Sequence, residues 1–227
     1  MLVEPPEDPA RLAQDEAVIR AVRGRLAGGR RPGPDAEAIA LRALLKGLSA
    51  AETAAVRAVL GRIDAAQGAP LIVWGPASQV IAADRYGLVA RVAARPEAAL
   101  KAAHEGGRAL MDLTTASAWW GRLLAEPELR VVAALPDHRA RHPRALMVQQ
   151  GPTGPTGEDR TFWVTDSPLA PGRIVSALGE SGLAASPLIE SGGLKLFALA
   201  GYVQAQDGRL SEAPGSLQGV IGAAPVF

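Results

Sequence analysis

Apolar positions recur at three- and four-residue steps through the first 67 residues, and the period then changes. After Pro9, the set Leu12, Val18, Ile19, Val22 and Leu26 predicts one amphipathic helix that ends at Gly28-Gly29. Arg30-Arg31-Pro32-Gly33-Pro34 reads as a turn. Asp35 then caps a second helix whose stripe is Ile39, Leu41, Leu44 and Leu45, stopped by Gly47. A third helix opens at the capping box Ser49-Ala50-Ala51-Glu52 and carries Val56, Val59, Leu60 and Ile63 to about Gln67.

From Ala69 the pattern shortens. Leu71 to Trp74 is a continuous apolar run bounded by Pro70 and Gly75, which suits a buried strand. Helical signals return over 78–85 and 97–104, and strands are expected over 109–113 and 129–135, an alternation that implies a small α/β layer. The stretch Gly151-Pro152-Thr153-Gly154-Pro155-Thr156-Gly157 favours neither helix nor sheet and reads as a linker. Beyond it come a strand at 161–165, a Pro171-Gly172 turn, a helix at 173–180, strands near 183–189 and 194–203, a short helix at 211–218 and an extended piece at 219–223. The expected fold class is therefore α/β and α+β in three parts: a helical segment over 9–68, a small α/β lobe over 69–151, and a βαββ domain over 158–227.

Composition narrows the chemistry. The chain has 227 residues, and 24 Lys plus Arg against 23 Asp plus Glu leave a formal charge of +1, so no net field marks a nucleic-acid or membrane-surface binder. The absence of cysteine removes disulfides, thiolate nucleophiles and thiolate metal ligands. The stretch Met1-Leu2-Val3-Glu4-Pro5-Pro6-Glu7-Asp8 is acidic where a signal peptide would be basic and then apolar, and no apolar run approaches the roughly 20 residues that span a bilayer. A cytoplasmic location without nucleic-acid or membrane partners is the expectation. Arginine-rich and lysine-poor usage points to a GC-rich genome, which raises arginine content independently of function.

Several motifs together carry a resemblance. Gly75, Pro76, Ser78, Ala82, Ala83, Tyr86 and Gly87 resemble a shortened version of the opening of prephenate dehydratases. Pro171-Gly172-Arg173-Ile174 with Leu178, then Glu190-Ser191, then Gly219-Val220-Ile221-Gly222-Ala223, resemble in the same order the turn, the Glu-Ser motif and the closing strand of an ACT regulatory domain. The second and third helices, ending at Gln67, look like the latter part of a helical chorismate mutase. The resemblance, spanning most of the chain, is to proteins related to the fused chorismate mutase and prephenate dehydratase enzymes, in reduced form.

That resemblance implies function. It implies a chorismate-mutase-like isomerase of phenylalanine and tyrosine biosynthesis, needing no cofactor and no metal, in which cations stabilise the charge separated in a pericyclic transition state. Arg20, Arg31, Lys46 and Gln67 are the implied catalytic groups, with Lys46 and Gln67 near the ether oxygen. Arg23, Arg30, Arg42, Gly75 and Ser78 are the implied substrate-binding groups. The ligand is a small carboxylate such as chorismate, prephenate or phenylalanine, and the expected assembly is a homodimer. Departures set the alternative. Position 36 is Ala where the family has an arginine, and Arg160-Thr161-Phe162 only permutes the dehydratase Thr-Arg-Phe. About 80 residues between Gly75 and Gly154 are also too few for two lobes around a cleft. The alternative is a non-catalytic ACT-type binding protein, with the regulatory ligand at Pro171, Gly172, Glu190 and Ser191.

Each residue also has a plainer role. Helix arginines can be solvated surface charges, Gln67 a polar helix end, and Gly75-Pro76 either a simple turn or an anion site at a helix N-terminus. His138 and His142 are four apart, yet Pro136 and Pro143 bracket them, so a loop is expected rather than a metal site. The Trp119-Trp120 pair packs a core or lines a ring pocket.

Overall fold

The computed structural model describes residues 8–28, 33–88, 90–139 and 141–227. The helical start follows its caps. The Asp8 carboxylate accepts from the Ala10 amide and opens α1 (Pro9–Leu26); α2 (Pro34–Leu45) begins on Pro34 with Gly33 in the capping position, so Asp35 sits inside the first turn rather than before it. The capping box forms at α3 (Ala50–Gln67), where the Ser49 hydroxyl accepts from the Glu52 amide and the Glu52 carboxylate accepts from the Ser49 amide. The Ser49 backbone and hydroxyl, then Arg11 of α1, hold the Glu52 carboxyl down to about 2.

Packing corrects the first apolar stripe. No residue of α1 is buried, and Leu12, Ile19 and Leu26 lie in solvent at 42%, 48% and 57% exposure. Polar contacts tie α1 down instead. The Arg25 guanidinium, only 13% exposed, joins Glu37 of α2 and Asp64 of α3, Arg11 meets Glu52, and the Gln14 amide donates to the Leu44 carbonyl at 2.7 Å.

The remaining elements build one sheet. In chain order they are β1 (Leu71–Trp74), α4 (Pro76–Tyr86), β2 (Arg91–Val92), α5 (Pro96–His104), β3 (Arg108–Asp112), β4 (Leu129–Leu135), β5 (Ala145–Gln150), β6 (Asp159–Thr165), α6 (Pro171–Glu180), β7 (Ala185–Ser191), β8 (Leu194–Ala200) and β9 (Gln218–Pro225). The nine strands run in the order β2-β1-β3-β5-β4-β9-β6-β8-β7. Pairings of β1 with β2 and β3, and of β4 with β9, are parallel; the rest are antiparallel.

This sheet overturns the expected three-part fold class. Strand β9 crosses back from the C-terminal segment to pair with β4, through Val131 opposite Gly222, so among the described residues the βαββ strands belong to the same sheet as the rest. One core face is likewise continuous. Ile72, Leu100, Met111, Trp119 and Trp120 from the middle of the chain pack in the same cluster as Phe162, Val164, Leu196 and Ile221. The linker reading of 151–157 predicts a break there, but chain flexibility in sequence does not stop strands on either side from sharing a sheet. On the opposite face, α4 covers Leu71, Val73 and Leu110, while α6 covers Trp163, Phe197 and Leu199 with Ile174 and Leu178.

Smaller differences have local causes. Residues 211–218 are not helical; a single 3-10 turn at Gly208–Leu210 precedes β9, since Pro214 and Gly215 interrupt the helical pattern. Strand β5 carries the unbroken apolar run Ala145 to Val148, buried on both faces, a pattern without alternation to announce it. No helix among the described residues is long and apolar enough to cross a membrane.

The junction at Gly222 generates a prediction. Its φ is +141°, and a Cβ there would overlap the backbone of Val131. Gly222→Ala should therefore destabilise the protein by about 2–4 kcal/mol, read as a lower urea midpoint at unchanged slope.

Candidate functional site

Three places on the molecule compete for the role expected of the sequence motifs. The first is the crevice at the carboxyl ends of β1 and β3, where β1 is flanked by parallel partners and the crossover helices α4 and α5 pack on opposite faces. Such switch points favour ligands in open α/β sheets. Gly75, with φ +89°, turns β1 into α4, and Pro76 takes the first helical position. One of the free amides there, that of Ala77, is already used. The fully buried Asp112, at the end of β3, accepts from the Ala77 amide at 2.7 Å and from the Thr114 amide and hydroxyl at 2.6 and 2.7 Å. A Cβ on Gly75 would overlap Asp112, which explains the glycine. Gly75 thus lies against an internal carboxylate, and the Ser78 hydroxyl is buried without a partner. They do not face an open substrate site.

The second place is a groove of about 620 Å³ between α1 and α2, floored by Leu41, Leu44 and Leu60. Arg20 and Arg25 line it. Arg25 is locked between Glu37 and Asp64, and Arg20, exposed, lies 3.5 Å from Glu16. Three carboxylates therefore answer two guanidinium groups, which disfavours a dianion. Arg23 is exposed on α1, and Arg30 and Arg31 lie outside the described residues. Gln67, expected at an ether oxygen, instead donates to the Leu26 carbonyl at 3.3 Å and caps the end of α1.

The third place unites two expected residues. A groove of about 540 Å³ is lined by Ile39, Arg42, Ala43, Leu45, Lys46, Thr53 and Phe227. Its floor is apolar, and its cations have no carboxylate among the described residues. The Arg42 guanidinium donates to the carbonyls of Thr156 at 2.6 Å, Glu158 at 3.0 Å and Val226 at 3.0 Å, and to the Thr156 hydroxyl at 3.2 Å. Its Nε is buried without a partner. Lys46, which follows α2, is exposed at the rim. Behind the groove, Arg42 and Arg57 place their guanidinium carbons 5.5 and 4.5 Å from the centre of the Phe227 ring, within cation–π reach.

Deeper in, charge is again in excess. Arg57, 8% exposed, and Arg85 share the single carboxylate of Asp137. Burial first, and the neighbouring charge of Arg85 second, lower Arg57 to about 9. The groove consequently sits in a positive field with an aromatic wall. Neither Phe227 nor Arg57 is marked by a motif; an arginine at a core-facing position of α3 is the one sign the sequence carried.

The residues expected to hold a regulatory ligand lie at the start of α6 and the end of β7. Pro171 opens α6, and the Gly172 carbonyl accepts from the Ser176 hydroxyl. Glu190 is exposed on edge strand β7 opposite Lys195, and the Ser191 hydroxyl donates to the Ala116 carbonyl. None of the four lines a cavity described for this chain. The tryptophan pair is core: Trp119 donates to the Asp112 carbonyl at 2.8 Å and Trp120 is fully buried. Among the described residues no group of three His, Asp or Glu side chains could hold a metal.

Comparison with known proteins adds little. No protein-family model matches, and no curated protein matches. A solved structure described as "GqqA- a novel type of quorum quenching acylases" aligns with 69% of this chain and 95% of that one, at 16% identity and a TM-score of 0.47. At that TM-score the likeness carries neither fold nor chemistry across.

The groove's two cations differ in a testable way. Arg42→Met should cost about 2–3 kcal/mol, because it strips a charged donor from three carbonyls. Lys46→Met, which breaks no contact, should leave the urea midpoint within about 0.5 kcal/mol of the parent.

Proposed function

We propose that the protein binds a small ring carboxylate in the groove between α2, the start of α3 and Phe227, without turning it over. The observation that carries this reading is the pairing of an apolar floor, Ile39, Leu45 and Phe227, with two cations that have no carboxylate partner, Arg42 and Lys46. The ring lies on the floor and the carboxylate meets the Lys46 ammonium in the field of Arg42. An ion pair at an exposed ammonium of this kind contributes about 1 kcal/mol. The ligand class follows the resemblance of the sequence to chorismate- and prephenate-handling enzymes. The cysteine-free chain fits a cytoplasmic setting.

Binding is favoured over rearrangement by the placement of charge. Rearranging chorismate requires cations at two carboxylates and a donor at the ether oxygen between them, so that stabilisation grows in the transition state. Here the cations sit on one rim, Gln67 is committed to α1, and Arg20 lies in a different groove.

The exposed stripe of α1 supports a homodimer. Leu12, Ile19 and Leu26 are spaced by seven, and the flanking charges are polarised, Asp15 and Glu16 before Ile19 and Arg20 and Arg23 after it. An antiparallel two-fold at Ile19 sets Leu12 against Leu26 and Asp15 and Glu16 against the partner's arginines, and the 18-residue helix offers about 27 Å of contact.

Calorimetry with prephenate and phenylalanine tests the binding reading. Saturable heat with either, weakened severalfold in Lys46→Met, is the expected result; no heat with both removes it. Chorismate absorbance should decay at the uncatalysed rate, and faster decay would return the isomerase. Light scattering should give a dimer for the parent and a monomer for Ile19→Glu, and a monomeric parent would refute the α1 pairing.

A further inference from the structure

A second cleft, of about 610 Å³, opens on the face of β6, β8 and β7 turned away from α6. Its floor is a plane of small side chains. Ser186 of β7 pairs across the ladder with Ala198 of β8, Ala200 follows on the same face in solvent, and Leu188 borders the row, while Ala185 turns with Leu199 toward α6. Its wall is basic. The half-buried Arg160 donates to the carbonyls of Arg139 and Arg141 at 3.1 and 3.3 Å and so fixes that loop over the sheet. Arg139 is neutralised by Glu158 at 2.9 Å, and Asp159 is engaged by the Thr156 amide and hydroxyl. Arg141 and His142 are exposed at the cleft with no carboxylate partner.

We propose that this cleft binds a small amphipathic oxyanion, a carboxylate or phosphate carried on a flat apolar body. The oxyanion lies against Arg141 and His142, in the field of Arg160, and the flat body lies over Ser186, Ala198 and Ala200. Guanidinium groups present paired donors that match either oxyanion. Small side chains on a sheet face leave a flat shelf, and larger ones would fill it. Arg160 bonds only neutral carbonyls, and its burial pulls it below its ordinary value, so a bound anion would relieve an uncompensated charge. The site is independent of the groove at Lys46, with which it shares no lining residue.

The test is calorimetry on the full chain with phenyl phosphate and benzoate as probes and inorganic phosphate as the control. Phenyl phosphate or benzoate should bind, with inorganic phosphate at least tenfold weaker. Ala200→Leu, which fills the shelf from an exposed position, and Arg141→Gln should each weaken the better probe at least tenfold, with circular dichroism unchanged. Lys46→Met should remove only the part of any benzoate heat that belongs to the groove at Lys46 and leave the part that Arg141→Gln weakens. Preference for phenyl phosphate marks the ligand as a phosphate and preference for benzoate as a carboxylate, and both agree with the proposal. It is overturned if neither probe gives heat, if inorganic phosphate binds as well, if Ala200→Leu changes nothing, or if Lys46→Met abolishes the signal.

Discussion

The close approach of Gly222 to the backbone of Val131 is the contact on which the sheet depends. Val131 and Gly222 form the register pair between β4 and β9, and irregularities flank it on both sides: β4 shifts between Val131 and Ala133, and β9 shifts opposite Phe162 and Trp163. Bulges of this kind bend strands and concentrate twist. Here they bring two backbones so near that only hydrogen fits on the glycine. Val131, Phe162 and Ile221, all fully buried around the junction, then close one core face across it.

Arginine is what fastens the helical segment to that sheet. Arg42 of α2 reaches the carbonyls of Thr156, Glu158 and Val226, Arg57 of α3 and Arg85 of α4 meet Asp137, and Arg108 of β3 donates to the carbonyls of Asp64 and Ala69. Charge-assisted bonds of this type are stronger than neutral ones and impose geometry. A guanidinium held by three carbonyls is not available to close around a ligand carboxylate. Arg42, offered by the sequence as a substrate ligand, is therefore structural, and the positive field at Phe227 is a by-product of Arg42 and Arg57.

Local signals were legible where one residue type has one physical job. Ser49 with Glu52, Pro34 and Pro76 at first helical positions, and the apolar run from Leu71 to Trp74 each fix a boundary through capping, a missing amide or burial. Long-range pairing was not legible. Nothing in Gly219 to Ala223 announces that its strand returns to β4, because parallel pairing over 90 residues depends on shape at Val131 rather than on periodicity. Amphipathic spacing misled at α1, where Leu12, Ile19 and Leu26 have the right period yet stay about half exposed. Gly75-Pro76 reads equally as a turn or an anion site, and neither reading contains Asp112, whose carboxylate arrives from a strand 35 residues later and takes the Ala77 amide.

Asp112 also decides where a ligand can bind. A helix N-terminus with free amides attracts an anion with about 0.5 to 2 kcal/mol, and an internal carboxylate takes that role without losing translational freedom. A soluble carboxylate competing for the Ala77 amide would have to displace a fully buried, triply hydrogen-bonded group, which disfavours the switch-point crevice. The groove between α1 and α2 is closed by sign, since Glu16, Glu37 and Asp64 outnumber Arg20 and Arg25. With the one disfavoured and the other closed, there remain the surfaces where cations stand unopposed, at Lys46 beside Phe227 and at Arg141 beside the small-residue shelf. Neither surface encloses its ligand on all sides. Charge supplied from one side attracts ground and transition states alike, which produces affinity without rate enhancement.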